Sequence, residues 1–322
     1  MKEIAGKAGV PTATWASFGA TELAAAIEHL RSVPPPYVIK TDGLAAGKGV
    51  FITEELRLAE ADVGAKLKGE SFGRAGQRVV IEEALVGPEL SLLVLCDGKR
   101  AVPLAPAQDF KRLGDGDTGP NTGGMGAYSP VPFAGSGLVG RVLDEIVEPT
   151  LAKLASDGIE YRGVLYAGLI VTDEGPKLIE FNIRLGDPEA QAVLPRLDGD
   201  LTEMLMGVAE GAMWVEPRFV ADAAVCVVCA APGYPERPRT GEVIGGLAEA
   251  ATVAGVTVFH AGTSRDDKGV VRSAGGRVLG VTALAPTLQE ARTRAYEAVE
   301  KIGLEGMNYR RDIALAAAEV EP

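Results

Sequence analysis

In Lys177-Leu-Ile-Glu-Phe-Asn-Ile-Arg184, apolar and polar residues alternate from Ile179 to Arg184. On a strand, Glu180, Asn182 and Arg184 share one face, and Ile179, Phe181 and Ile183 fill the other. Neighbours in the polar row stand about 6–7 Å apart, two strand rises each. Alternation alone reads as a half-solvated sheet. The residue types give a second reading: an acid and an amide are hard oxygen donors, which Mg²⁺ accepts alongside substrate phosphates. A guanidinium beyond them suits a phosphoryl group in transfer.

Upstream, Gly114 to Pro130 reads G-D-G-D-T-G-P-N-T-G-G-M-G-A-Y-S-P, with six glycines and two prolines. That composition favours turns and close backbone approach, so no regular secondary structure is expected there. A loop of this length is either ligand-binding or a mobile connector; Asp115, Asp117, Asn121 and Tyr128 are hydrogen-bonding types rather than linker filler. Lys40-Thr-Asp-Gly-Leu-Ala-Ala-Gly-Lys-Gly49 resembles a Walker A loop but fails that test. Gly43 to Gly47 is one residue short, Lys48 precedes glycine rather than Ser or Thr, and a strand follows. It reads as a flap whose N–H groups close over phosphates, or as a plain hairpin tip. In Val79–Glu89 an apolar strand runs into two acids and a short linker. A purine edge could be read by backbone around Ala84 and Leu85, or the acids could simply be solvated.

At 322 residues, 47% hydrophobic and 24% charged, the chain can build two or three packed units. A net charge of -12 argues against general nucleic-acid or anionic-membrane binding. Apolar runs of at most about eleven residues are too short to span a bilayer. Three cysteines make no disulfide framework, which suits a reducing, cytoplasmic compartment. Cys226-Val-Val-Cys229 lies in an unbroken apolar run that reads as a buried strand. Its cysteines then face opposite ways, unsuited to chelation. Two histidines leave little room for His-based hydrolysis.

Along the chain we expect a helix at Thr21–Arg31 and strands at Tyr37–Lys40, Val50–Thr53, Arg78–Glu83, Glu89–Cys96 and Ala101–Ala105. A helix spans about Val139–Ala155, kinked at Pro149. Strands Gly163–Val171 and Lys177–Arg184 follow. Asp187-Pro188-Glu189 reads as a capped helix start, and Asp200-x-x-Glu203 as another. Met213–Asp222 connects to a separate α+β unit with strands Ala223–Ala231, Val256–Thr263 and Arg277–Ala285, and a helix opened by the capping box Thr287-Leu-Gln-Glu290.

Together, the segments Lys40–Gly49, Asp115–Pro130 and Glu180-Phe-Asn-x-Arg-x-Gly-Asp-Pro-Glu189 resemble the ATP-grasp ligases. Within these they are similar to the phosphoribosylamine–glycine ligase (glycinamide ribonucleotide synthetase) family. So are Gly233-Tyr-Pro, Phe259-His-Ala-Gly-Thr263 and Gly275-Gly-Arg-Val-Leu279, and the resemblance covers essentially the whole chain. It implies an α+β ATP-grasp fold, two subdomains gripping ATP in 1–222 with the lid at about 14–84, then a small α+β domain in 223–322. The implied reaction joins glycine to 5-phosphoribosylamine using ATP and Mg²⁺ (or Mn²⁺), through a glycyl phosphate, in purine biosynthesis. An acyl phosphate makes the carboxylate attackable without any enzyme nucleophile, so positioning and charge carry the catalysis.

By matching position, Lys40 contacts the α-phosphate, and Gly47, Lys48 and Gly49 belong to the flap. Glu82 and the backbone near Leu85 hold adenine, and Glu89 holds the ribose. Glu180 and Asn182 ligate the metal, and Arg184 steadies the phosphoryl group. Asp109, Lys111 and Asn121 are candidates for holding glycine or the phosphoribosyl group. Three departures stand out. Phe110 and Leu185 replace an expected histidine and phenylalanine. Gly163–Val171 lacks the second metal carboxylate of more distant ATP-grasp enzymes. Relatives also carry a Rossmann-like domain of roughly a hundred residues ahead of the point matching Met1, so the expectation is a truncated ligase with impaired activity. The alternatives are a non-catalytic ATP-binding remnant, or another ATP-grasp carboxylate–amine ligase.

Overall fold

In the computed structural model, residues 1–43 and 49–320 are described. The chain divides into two compact units, 1–88 with 170–179, and 89–169 with 180–322.

The first unit is built on a four-stranded antiparallel sheet ordered Trp15–Gly19, Arg78–Glu82, Tyr37–Thr41, Val50–Thr53. Helices Leu23–Ser32 and Leu56–Leu67 cover one face, burying Ala26, Leu30, Ala59 and Val63 against Tyr37, Ile39, Val79 and Ile81. The two-residue side-chain period therefore turns Lys40 and Glu82 to the opposite face. In register, Lys40 pairs with Val80 and Val38 with Glu82. Lys40 and Glu82 are thus diagonal neighbours, within reach of long side chains.

The second unit holds a five-stranded antiparallel sheet ordered Val256–His260, Arg277–Ala285, Ala223–Ala230, Gly126–Ser129, Gln108–Asp109. Helix Leu288–Lys301 packs on its two longest strands, and the Thr287 hydroxyl accepts from the Glu290 amide, the expected cap. Strands Glu89–Asp97 and Ala101–Pro103 lie in a four-stranded sheet with Arg162–Thr172 and Gly175–Asn182. Leu93, Leu95, Val102 and Tyr166 meet Met204 and Val208 of helix Leu201–Glu210 in its core.

Several expectations need correction. The Gly-rich stretch is not free of regular structure: Arg112–Gly114 pairs with Thr118–Asn121, and Gly126–Ser129 is a fully buried strand inside the five-stranded sheet. Gly126 is there for packing, since a Cβ would sit 2.7 Å from the Cys226 carbonyl oxygen and the Ile313 side chain. That sheet also crosses the expected boundary near residue 222. The strand meant to carry Arg184 ends at Asn182. Asp187 does not cap a helix; the helix is Glu189–Val193, and the Asp187 carboxylate takes Arg277 and Gln191 instead. The helix around Pro149 is split into Ser136–Val142 and Glu148–Ser156 by a π turn at Leu143–Val147. The proline lacks an N–H and its ring crowds the preceding turn, which the wider turn absorbs. Cys226 and Cys229 are fully buried free thiols, and burial pushes both up to about 12.

Candidate functional site

In the first unit, Lys40 Nζ lies 2.9 Å from Glu82 Oε2, a carboxylate with only 4% of its side chain exposed. Lys2, unremarked in the sequence, reaches the same oxygen at 3.0 Å. Lys2 is oriented by Thr12, whose hydroxyl accepts a hydrogen bond from Lys2 Nζ at 2.6 Å and donates to the Leu178 carbonyl at 2.6 Å. Burial pulls the Lys2 ammonium below its ordinary value, with Glu82 pulling the other way. Two ammonium groups on one carboxylate leave a net positive spot, the electrostatics a phosphate chain needs. Glu83, one residue on, accepts from the Thr14 amide. Leu85 is half-buried in the segment after the strand, and Gly49 is buried with its carbonyl on the Thr41 amide. Gly47 and Lys48 lie outside the described residues.

In the second unit, Glu89, Asp109 and Lys111 come together. Lys111 Nζ ion-pairs with Glu89 and lies 3.1 Å from Asp109 Oδ1. Burial opposes its charge, but Asp109 and Glu89 overcome that and hold the ammonium well above its ordinary value. Behind Asp109 stand three residues that the sequence does not mark as site residues. Ser91 Oγ is 3.3 Å from Asp109 Oδ1 and 2.9 Å from the Tyr166 hydroxyl, which donates to Glu189 Oε1 at 3.0 Å. Glu189 is buried; desolvation first, then the charge of Asp109, push it up to about 7.

Glu180 and Asn182 do share a face: Asn182 Nδ2 donates to Glu180 Oε1 at 3.3 Å, and both are half-buried. Across the sheet, Gly168 leaves the space beside Glu180 clear. A Cβ there would touch both the Glu180 side chain and the Tyr166 ring at 3.4 Å. Glu180 and the Tyr166–Ser91–Asp109 cluster therefore occupy one sheet face. Arg184 is not brought to it; it is exposed beyond the strand end and donates to the Leu185 carbonyl. Among the described residues no three His, Cys, Asp or Glu side chains form a metal cage. The acid–amide pair matches an ion whose remaining ligands come from phosphates and water.

The Gly-rich segment is anchored. Arg310, 1% exposed, donates to Asp117 and Asp312 at 2.6 Å each and stacks 4.7 Å from the Phe110 ring. Arg277 donates to the carbonyls of Gly123 at 2.8 Å and Asp187 at 2.6 Å. Phe110 also exchanges backbone bonds with Gly126 and Met125. With Phe110 pinned on one side, Asp109 and Lys111 are turned to the other. Asn121 ends the hairpin, half-buried and opposite Arg112.

Residues 1–190 match the family model described as phosphoribosylglycinamide synthetase, ATP-grasp (A) domain, and residues 224–316 match the C domain of the same synthetase. The chain belongs to the phosphoribosylglycinamide synthetase family. It is 49% identical to a phosphoribosylamine–glycine ligase of Caulobacter vibrioides, covering 99% of this chain and 74% of that one. It is 47% identical to the chloroplastic enzyme of Arabidopsis thaliana, over 98% of this chain and 60% of that one. The crystal structure of the Thermotoga maritima ligase superposes with a TM-score of 0.87 at 37% identity, covering 97% of this chain and 77% of that one. The fold is the ATP-grasp fold expected for the family, and among the described residues no helix is long and apolar enough to cross a membrane.

Proposed function

We propose that this synthetase-family chain ligates glycine to 5-phosphoribosylamine at the expense of ATP, giving glycinamide ribonucleotide, ADP and phosphate in the cytoplasm, as a step of purine biosynthesis. Beyond family membership, the reading is carried by one observation: the Glu89–Lys111–Asp109 cluster stands on the same sheet face as the Glu180–Asn182 pair. A carboxylate–amide pair suited to a hard cation and an acidic cluster suited to an amine on one sheet face support a carboxylate–amine ligase.

Lys40, with Lys2 beside it, binds the nucleotide phosphates. Backbone near Leu85 and the carboxylate of Glu82 orient adenine. Glu89 and Asn121 complete the ligand contacts. Glu180 and Asn182 would hold Mg²⁺ or Mn²⁺, which would supply neutralisation of phosphate charge. Lys111 steadies the carboxylate end of glycine and Asp109 faces the amine. Arg184, exposed as it stands, serves the transferring phosphoryl group only if its segment turns inward with nucleotide. The functional division is 1–222, with a lid at about 14–84, and 223–322, although strands from both sides of residue 222 share one sheet.

A coupled ADP-release assay with glycine and freshly formed 5-phosphoribosylamine tests this. ADP formation requiring both substrates supports the ligase. ATP binding without glycine-dependent turnover would make the chain a nucleotide-binding remnant, and release driven by a different carboxylate would point to another ATP-grasp ligase.

A further inference from the structure

Asp109, Ser91, Tyr166 and Glu189 form a continuous line of oxygens, spaced 3.3, 2.9 and 3.0 Å, running from the Lys111 cluster to a buried carboxylate. We infer that this line is a proton relay, with Glu189 as the internal acceptor for the proton released when the amine is acylated. The inference rests on the ligase reading above, in which Asp109 faces the amine.

The hydroxyls argue for it by count. Ser91 and Tyr166 own two protons, yet they stand among two carboxylates and each other, so they can be ordered in one of two directions. With Glu189 ionised, Ser91 donates to Tyr166 and Tyr166 to Glu189. The amine nitrogen then bonds to the carbonyl carbon of glycyl phosphate, the C–O bond to phosphate breaks, and its electron pair leaves on phosphate. The nitrogen's proton passes to Asp109. Asp109 hands it to Ser91, Ser91 gives its own proton to Tyr166, and Tyr166 gives its own to Glu189. Every hydroxyl now points back toward an ionised Asp109, ready to return the proton after product leaves.

Glu189 suits the end of such a line. It is buried, its carboxylate accepts from the two hydroxyls and from its own backbone amide, and the cation that acts on it, Lys111, is held by Asp109 and Glu89. The Cys226 thiol across from it stays neutral. Burial and Asp109 bring its proton affinity to about 7, where it can both take and return a proton. Glu189, Tyr166 and Ser91 act through Asp109 and are positioning residues.

Tyr166→Phe keeps the ring and removes the middle link; Glu189→Gln keeps the shape and removes the acceptor. Both are expected to lower kcat about tenfold to a hundredfold with KM for ATP unchanged. The wild-type rate should rise with pH through about 7 as Glu189 ionises, and that limb should vanish in Glu189→Gln and return in Glu189→Asp. Wild-type kcat and an intact limb in both folded variants would overturn the relay. Infrared difference titration without substrates is the independent reading: a buried carboxylic-acid band near neutrality, absent in Glu189→Gln, supports it. If the wild-type chain shows no such band, the relay is wrong whatever its activity. A band with no ADP release would instead sink the ligase reading.

Discussion

Around Glu82, two ammonium groups share one carboxylate, whereas around Lys111 two carboxylates share one ammonium. Both sites are assembled on sheet faces from residues far apart in sequence, yet their surplus charge has opposite sign. The first unit offers positive charge, fit for phosphates. The second offers negative charge, fit for an ammonium or a migrating proton. Neither surplus stabilises the fold by itself, because buried like charges gain nothing from each other. Each is what its proposed ligand would cancel.

Breaking the second site is expected to do most. Lys111→Ala leaves Asp109 and Glu89 facing each other with no cation between them. Turnover should fall about a thousandfold, and stability by about 2 kcal/mol, less than for a fully buried pair because the Lys111 side chain is 33% exposed. Steady-state kinetics and urea unfolding check both. Lys40→Ala comes next: losing a charge-assisted phosphate contact should raise KM for ATP roughly tenfold to a hundredfold, while Lys2 remains to hold Glu82.

The third test uses pH. The folded-state value of Glu189 is raised, to about 7, so its protonation favours the native state. Its contribution is fully present below the ordinary carboxylate range and is lost as pH climbs through about 7. Thermal unfolding between pH 4.5 and 8 should show a decline in stability on the order of 2–3 kcal/mol, which Glu189→Gln flattens. An equal decline in the variant would assign it elsewhere. Smallest is Phe110→Leu, which removes the ring under Arg310 and should cost about 1 kcal/mol. A larger loss of turnover than of stability would show that this ring aims Asp109 and Lys111.

Local signals were legible from sequence. Val50–Thr53 and Arg277–Ala285 appear with the expected bounds, and Thr287 and Asp200 cap their helices, because period and caps act within a few residues. The Glu180–Asn182 pairing followed from the strand period alone. What failed depended on distant partners. Gly126–Ser129 looked like loop because its glycine and small side chains make sense only against Ala223–Ala230. Alternation ran on to Arg184, but nothing in the period says where a strand's partner stops. Glu189 read as an ordinary first-turn acid; its burial against Tyr166 and Ser91, 23 and 98 residues away, leaves no mark in the local pattern. Lys2 escaped notice for the same reason, with Glu82 eighty positions on.

The division of charge is tested most directly by measuring KM for ATP and for glycine side by side in Lys40→Ala and Lys111→Gln. The account predicts a crossed result: Lys40→Ala weakens ATP and spares glycine, and Lys111→Gln weakens glycine and spares ATP. Both variants weakening the same substrate by similar factors would contradict it.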